Sequence, residues 1–207
     1  MPRSPLRLAI NAAHERLIDS LKGMGLTGLS VLDIGGGASM RPTPRERQWA
    51  AVSKKFDILD MNPKHGPDIV CDIEAGAPIE DGAYDVVLCG QVLEHTFNFI
   101  NVINECKRMA SGLCVIDVPF MYHYHKAPED YWRISDAALA RLFHAVGFPA
   151  FATTMLCSRS ATWGLATMDP ATYDLKKLIG TEGVDDNGGS DSERDCVGGN
   201  GNLAAAG

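Results

Sequence analysis

The stretch VLDIGGGASM, Val31 to Met40, places Asp33 just before three consecutive glycines, Gly35, Gly36 and Gly37. Glycine has no Cβ, so such a turn lets a ligand approach bare backbone. Two more acids, Asp60 in FDILDM and Asp72 in DIVCDI, come at the ends of apolar runs. Carboxylates at successive strand ends can accept hydrogen bonds from the hydroxyl and ammonium groups of one ligand. A second set of residues is suited to moving protons: His95 beside Glu94, and His123 and His125 in PFMYHYHKAPEDYWRIS, Pro119 to Ser135. Imidazole titrates near neutrality, so these histidines are candidate bases, with His123 and His125 preferred. Tyr131 and Arg133, in the same polar and aromatic linker, are candidates for binding an acceptor.

The elements that must position these groups follow from hydropathy. Leu6, Ile10, Ala13, Leu17, Ile18 and Leu21 recur at helical spacing and predict an amphipathic helix that ends near Gly23. Five short apolar runs follow: 30–34, 56–61, 68–73, 84–90 and 112–118. Their near-continuous hydrophobicity predicts strands covered on both faces, as in a parallel sheet. Phe97, Ile100, Ile103 and Cys106 predict a crossover helix stopped by Gly112, and Ser135 is a predicted N-cap for DAALARLFHAVGF. The runs 150–156 and 162–168 read as an antiparallel hairpin that closes one edge. The expected class is α/β: a doubly wound, Rossmann-like, seven-stranded, mostly parallel sheet with an antiparallel edge hairpin.

Two cofactor classes use a glycine turn after a buried strand. A dinucleotide site wants G-x-G-x-x-G, but Met40 occupies the third glycine position, and Pro42 and Pro44 delay the next helix. S-adenosylmethionine has no phosphates; it needs an acid near the turn, a carboxylate after the second strand and a third beside the adenine. Asp33, Asp60 and Asp72 stand at those places. Together, VLDIGGGAS, DILDMNP, DIVCDIEAGAPIEDGAYDVVLCGQVLEH and a later GF resemble the successive motifs of a class I S-adenosylmethionine-dependent methyltransferase of the type-11 family, over roughly residues 29–148. The resemblance implies that Asp33, Gly35 and Gly37 line the methionyl part, with Gln91 near the same end. It also implies that Asp60 holds the ribose, Met61 flanks the adenine, and Asp72 and Ile73 lie at its amino group. The histidine, proline and DYWR pattern is similar to type-11 members associated with sugar or cell-surface polysaccharide genes, which implies a small-molecule or carbohydrate-like acceptor methylated at oxygen or nitrogen. Two departures stand out: Ser39 replaces a common glycine, and MRPTPRERQWAAVSKK lacks the usual apolar helix pattern.

The rival readings are an NAD(P)-dependent Rossmann oxidoreductase and a catalytically inactive S-adenosylmethionine-binding module. His123 and His125 lack a third ligand at fixed spacing, so no metal is expected. With 45% hydrophobic and 22% charged residues, the 207-residue chain has the composition of one domain with a core, expected over 1–179. Residues 180–207 carry six acids and one base among glycines and are expected to be a disordered tail. The formal charge of −7 is concentrated there, and a near-neutral body without a basic block argues against a nucleic-acid partner. Scattered cysteines without Cys-x-x-Cys, and no long apolar run, lead to the expectation of a cytoplasmic protein with no membrane partner. Oligomeric state is left open by the sequence.

Overall fold

The computed structural model describes residues 4–37, 41–125 and 129–179, together with the backbone of 202–205. The first helix, α1 (Pro5–Gly23), begins with proline, and the Ser4 hydroxyl accepts from the Arg7 amide at 3.3 Å. That satisfies an amide the helix itself leaves unpaired. The six periodic apolar residues of α1 are all buried, on the face turned to the sheet.

Seven strands form where the apolar runs predict them: β1 (Leu29–Ile34), β2 (Ser53–Asp60), β3 (Ile69–Val70), β4 (Tyr84–Gly90), β5 (Ala110–Pro119), β6 (Ala150–Leu156) and β7 (Ala161–Thr167). Their order is β3-β2-β1-β4-β5-β7-β6. Strands β1 to β5 pair in parallel, and β7 runs antiparallel between β5 and β6. An additional short strand, β8 (Asn202–Ala205), pairs antiparallel with β6 at the edge. Apart from these four residues, the segment expected to be a disordered tail lies outside the described residues.

The helices α2 (Pro44–Trp49), α3 (Phe99–Met109), α4 (Asp136–Ala145) and α5 (Leu175–Ile179) complete the layers. One apolar cluster joins α1 and α5 to the sheet through Leu17, Leu21, Val86, Leu88 and Leu165. The other joins α3 and α4 through Ile103, Phe143, Leu32 and Cys89. Truncating a fully buried side chain such as Leu21 or Ile103 to alanine costs about 2–5 kcal/mol. Cys71, Cys89, Cys106 and Cys114 are free thiols, and no helix among the described residues is long and apolar enough to cross a membrane.

One local detail differs from expectation. Gly112 does not stop α3: the helix ends at Met109, and Gly112 lies inside β5, where an added Cβ would meet the Tyr173 ring at 2.5 Å. The polar segment after the glycine turn does form a helix, α2. Its start is a capping box, with the Thr43 hydroxyl accepting from the Glu46 amide and the Glu46 carboxylate accepting from the Thr43 amide. Its end is anchored by Trp49, which is fully buried.

His14 locks α1 to this arrangement. Its Nδ1 accepts from Trp49 Nε1 at 3.2 Å, and its ring stands edge-on to Trp163 with centroids 4.8 Å apart. Burial pulls the imidazole down to about 4 from 6.5, with nearby Asp117 only partly opposing the shift. The folded protein therefore holds His14 neutral where the unfolded chain would protonate it. Stability from this residue is complete above pH 6.5 and is lost as pH falls from 6.5 to about 4, a total of about 3 kcal/mol. Urea unfolding measured across that window is expected to show a shallower acid loss in His14→Gln than in the wild type.

Candidate active site

The central strand β1 is flanked by β2 on one side and β4 on the other, so its carboxyl end is the point where the strand order reverses. A cleft opens there in doubly wound sheets. In this protein it is a cavity of about 590 Å³. One wall is the turn from Asp33 to Gly37, another is the start of α2, and α1 contributes Leu6, Arg7, Ile10 and Asn11. Gly90, Gln91, Tyr122, His123 and His125 complete it from β4 and from the linker after β5.

The turn requires glycine for steric reasons. A Cβ on Gly36 would lie 2.0 Å from Asp33 Oδ2, and one on Gly37 would lie 2.5 Å from Asp60 Oδ2. The acids at the ends of β1 and β2 thus converge on the same bare backbone. Asp33 is 1% exposed, and its Oδ1 accepts from Arg45 Nη1 at 2.9 Å. Burial pushes the Asp33 carboxyl up, and the Arg45 charge opposes that shift. Asp60 accepts from the Asn62 amide at 2.8 Å through Oδ1, while its Oδ2 lies 3.1 Å from His65 Nδ1. Met61 is exposed, Ile73 is buried, and Asp72 caps the short turn that follows β3 by accepting from the Glu74 amide at 3.0 Å. Asp60, Met61, Asp72 and Ile73 are not among the residues that line the cavity.

Gln91 takes a left-handed φ of 57°, unusual for a residue with a side chain. Two bonds hold it: its amide donates to the Asp117 carbonyl at 2.7 Å, and its Nε2 donates to Asp117 Oδ1 at 3.0 Å. The other oxygen of Asp117 has no hydrogen-bond donor among the described residues, and it lies 3.9 Å from Arg45 Nη2. Asp117 is invisible in sequence because it closes a strand that reads as core. Arg45 was hidden by the polar composition of α2, although the T-x-x-E capping signature marks that helix.

In the linker after β5, all five N–H groups of Arg133 are engaged. Two reach Asp130 in a fork, and the others reach the carbonyls of Tyr122, Trp132 and His123. In this arrangement the guanidinium pins the linker. Tyr131 stands outside the cavity lining, 47% exposed and edge-on to Phe97. His123 is exposed and His125 half-buried, and both line the cavity. His95 sits behind them: its Nδ1 meets the Glu129 carbonyl, and its ring stands 5.1 Å from that of His125. Glu94 does not cap α3; Glu74 accepts from the Phe97 and Asn98 amides, and the Asn98 side chain accepts from the Asn101 amide. Glu94 is instead 1% exposed, and burial pushes its carboxyl up to about 8.

Replacing Arg133 by alanine would leave Asp130, whose side chain is fully covered, without its partner. Because Arg133 is itself 24% exposed, the expected cost is about 2–4 kcal/mol, towards the low end for breaking a buried pair. A lowered thermal midpoint and faster proteolysis of the linker, with the rest of the sheet intact, would check this.

Residues 32–116 match the family model described as "Methyltransferase domain". No match was found among curated proteins. A solved S-adenosylmethionine-dependent methyltransferase from Aquifex aeolicus is similar at a TM-score of 0.54 and 17% identity, over 81% of this chain and 100% of that one. A Mesorhizobium loti S-adenosylmethionine-dependent methyltransferase is similar at 0.53 and 12%, over 72% and 96%. Magnesium protoporphyrin IX methyltransferase from Synechocystis, solved with bound S-adenosylhomocysteine, is similar at 0.51 and 16%, over 75% and 84%. At these identities the likeness establishes the fold, and the family match supplies the chemistry. The family match over residues 32–116, together with the fold, supports a class I methyltransferase of the type-11 kind that uses S-adenosylmethionine.

Proposed function

We propose that this enzyme methylates an oxygen or nitrogen of a small-molecule or carbohydrate-like acceptor that enters the cavity from its histidine side. The observation that carries this reading is the shared lining: the glycine turn with Asp33 and the linker residues Tyr122, His123 and His125 face one cavity. The cofactor fits the turn, because backbone that any Cβ would fill is what a closely approaching methionyl group requires. When bound, it supplies a methyl group on a positively charged sulfur, an electrophile displaced in line.

The chain's own residues bind, orient and accept the proton. Asp33 and the backbone of Gly35 and Gly37 hold the methionyl ammonium, with Gln91 fixed beside them by Asp117. Asp60, its rotamer set by the Asn62 amide and His65, accepts from the ribose hydroxyls. Met61, Asp72 and Ile73 form the adenine side. Alignment in a site covered by α1 supplies much of the rate. Of the three histidines, His123 takes the acceptor's proton. It is exposed and lines the cavity, whereas His95 bonds to the Glu129 carbonyl and His125 lies against Asp130.

Calorimetric titration with S-adenosylmethionine and S-adenosylhomocysteine, with nicotinamide dinucleotides as controls, tests the cofactor assignments. Asp60→Ala is expected to weaken binding at least tenfold, about 1.4 kcal/mol; unchanged affinity removes its ribose role. His123→Ala is expected to lower kcat and leave cofactor Kd unchanged, and wild-type turnover would leave positioning as the whole of the catalysis. Locating the new methyl group by NMR decides the acceptor atom, and a carbon-bound methyl overturns the reading.

A further inference from the structure

We propose that Glu94, His95 and His125 form a site for a zinc-like divalent cation, held at the edge of the cavity so that it binds and polarises an acceptor oxygen. The cation's binding stands on the geometry alone; its role rests on the methyl-transfer reading above.

The three side chains come from separate loops, the short turn after β4 and the linker after β5, and the fold brings one ligand atom of each within 4.8 Å of the others. His95 Nε2 and Glu94 Oε1 are 3.6 Å apart. Bonds of about 2.0–2.2 Å to zinc put tetrahedral ligand atoms roughly 3.4 Å apart, so this pair is already spaced for a shared cation. His125 completes the set by moving inward by roughly 1 Å, a shift within reach of a side chain on a surface linker.

Glu94 is the strongest indication. It is 1% exposed, and neither of its oxygens has a hydrogen-bond donor among the described residues. A buried carboxyl in that state is costly to ionise, and a cation removes the cost. The histidines are also oriented as ligands are. The outer nitrogen of a metal-bound imidazole usually donates to a carbonyl or carboxylate, which frees the inner lone pair. His95 Nδ1 meets the Glu129 carbonyl, and His125 Nδ1 lies 3.3 Å from Asp130 Oδ2, close but not yet in hydrogen-bond geometry. Asp130 is itself fixed by the Arg133 fork, so the buttressing of the linker ends at a ligand.

Two imidazole nitrogens and one carboxylate select zinc or a neighbouring first-row cation over magnesium or calcium, which prefer oxygen. A three-residue set leaves positions open for water or substrate, and His125 lines the cavity that the acceptor enters. The sequence alone argued against a metal because His123 and His125 lacked a third partner. The partners are Glu94 and His95, some thirty residues earlier in the chain.

The test uses tag-free, chelator-stripped full-length protein titrated with zinc by calorimetry and with cobalt by visible absorption. One equivalent is expected to bind, and cobalt should give the absorption bands of nitrogen and oxygen ligation. Glu94→Gln and, independently, the linker variant His125→Gln should weaken binding more than the roughly 10–100-fold caused by losing an orienting partner. Asp60→Ala should leave metal affinity unchanged. No binding to the wild type overturns the site, as does equal binding to both ligand variants, which would mark an adventitious ion only. Parallel S-adenosylmethionine titrations separate the two readings: metal binding without cofactor binding sinks the methyl-transfer reading alone, and the reverse sinks the cation site alone.

Discussion

The carboxylates of Asp33 and Asp60 lie against the backbone of Gly36 and Gly37 at separations that no Cβ tolerates. From that contact much of the molecule follows. Burying Asp33 is unfavourable for its charge, and Arg45 answers it at 2.9 Å. Arg45 can do so only because α2 starts at the Thr43–Glu46 capping box and ends in the buried Trp49. Trp49 in turn donates to His14 on α1. The glycine turn, the short helix and the N-terminal helix therefore form one mechanical unit, with the cavity between them.

The opposite wall is organised by a different hub. Arg133 uses every donor to tie Asp130 and three carbonyls together, which gives the linker after β5 a defined path over the end of β4. That path carries Tyr122, His123 and His125 to the cavity and sets His125 beside His95 and the buried Glu94. Every donor of this arginine is engaged by the linker itself.

Much of the fold was legible because parallel strands buried on both faces announce themselves as continuous apolar runs, and α1 as a periodic stripe. All seven expected strands formed within a few residues of those runs. The polar helix α2 was not legible by hydropathy, because only Trp49 of its six residues is buried. The edge strand β8 was not legible either: asparagine, leucine and alanine among glycines carry no strand signal, and its backbone pairs through hydrogen bonds that depend little on side chains.

The sequence by itself determined the order of elements and the bare turn after Asp33, because these rest on local residue types and on patterns of period two or 3.6. Tertiary structure alone decided which charges meet. Arg45 with Asp33, Asp117 with Gln91, and Glu94 with His95 and His125 are contacts made mostly between elements distant in the chain. Electrostatic partnership depends on distance and burial, and neither is set until the sheet has closed and removed the water between them.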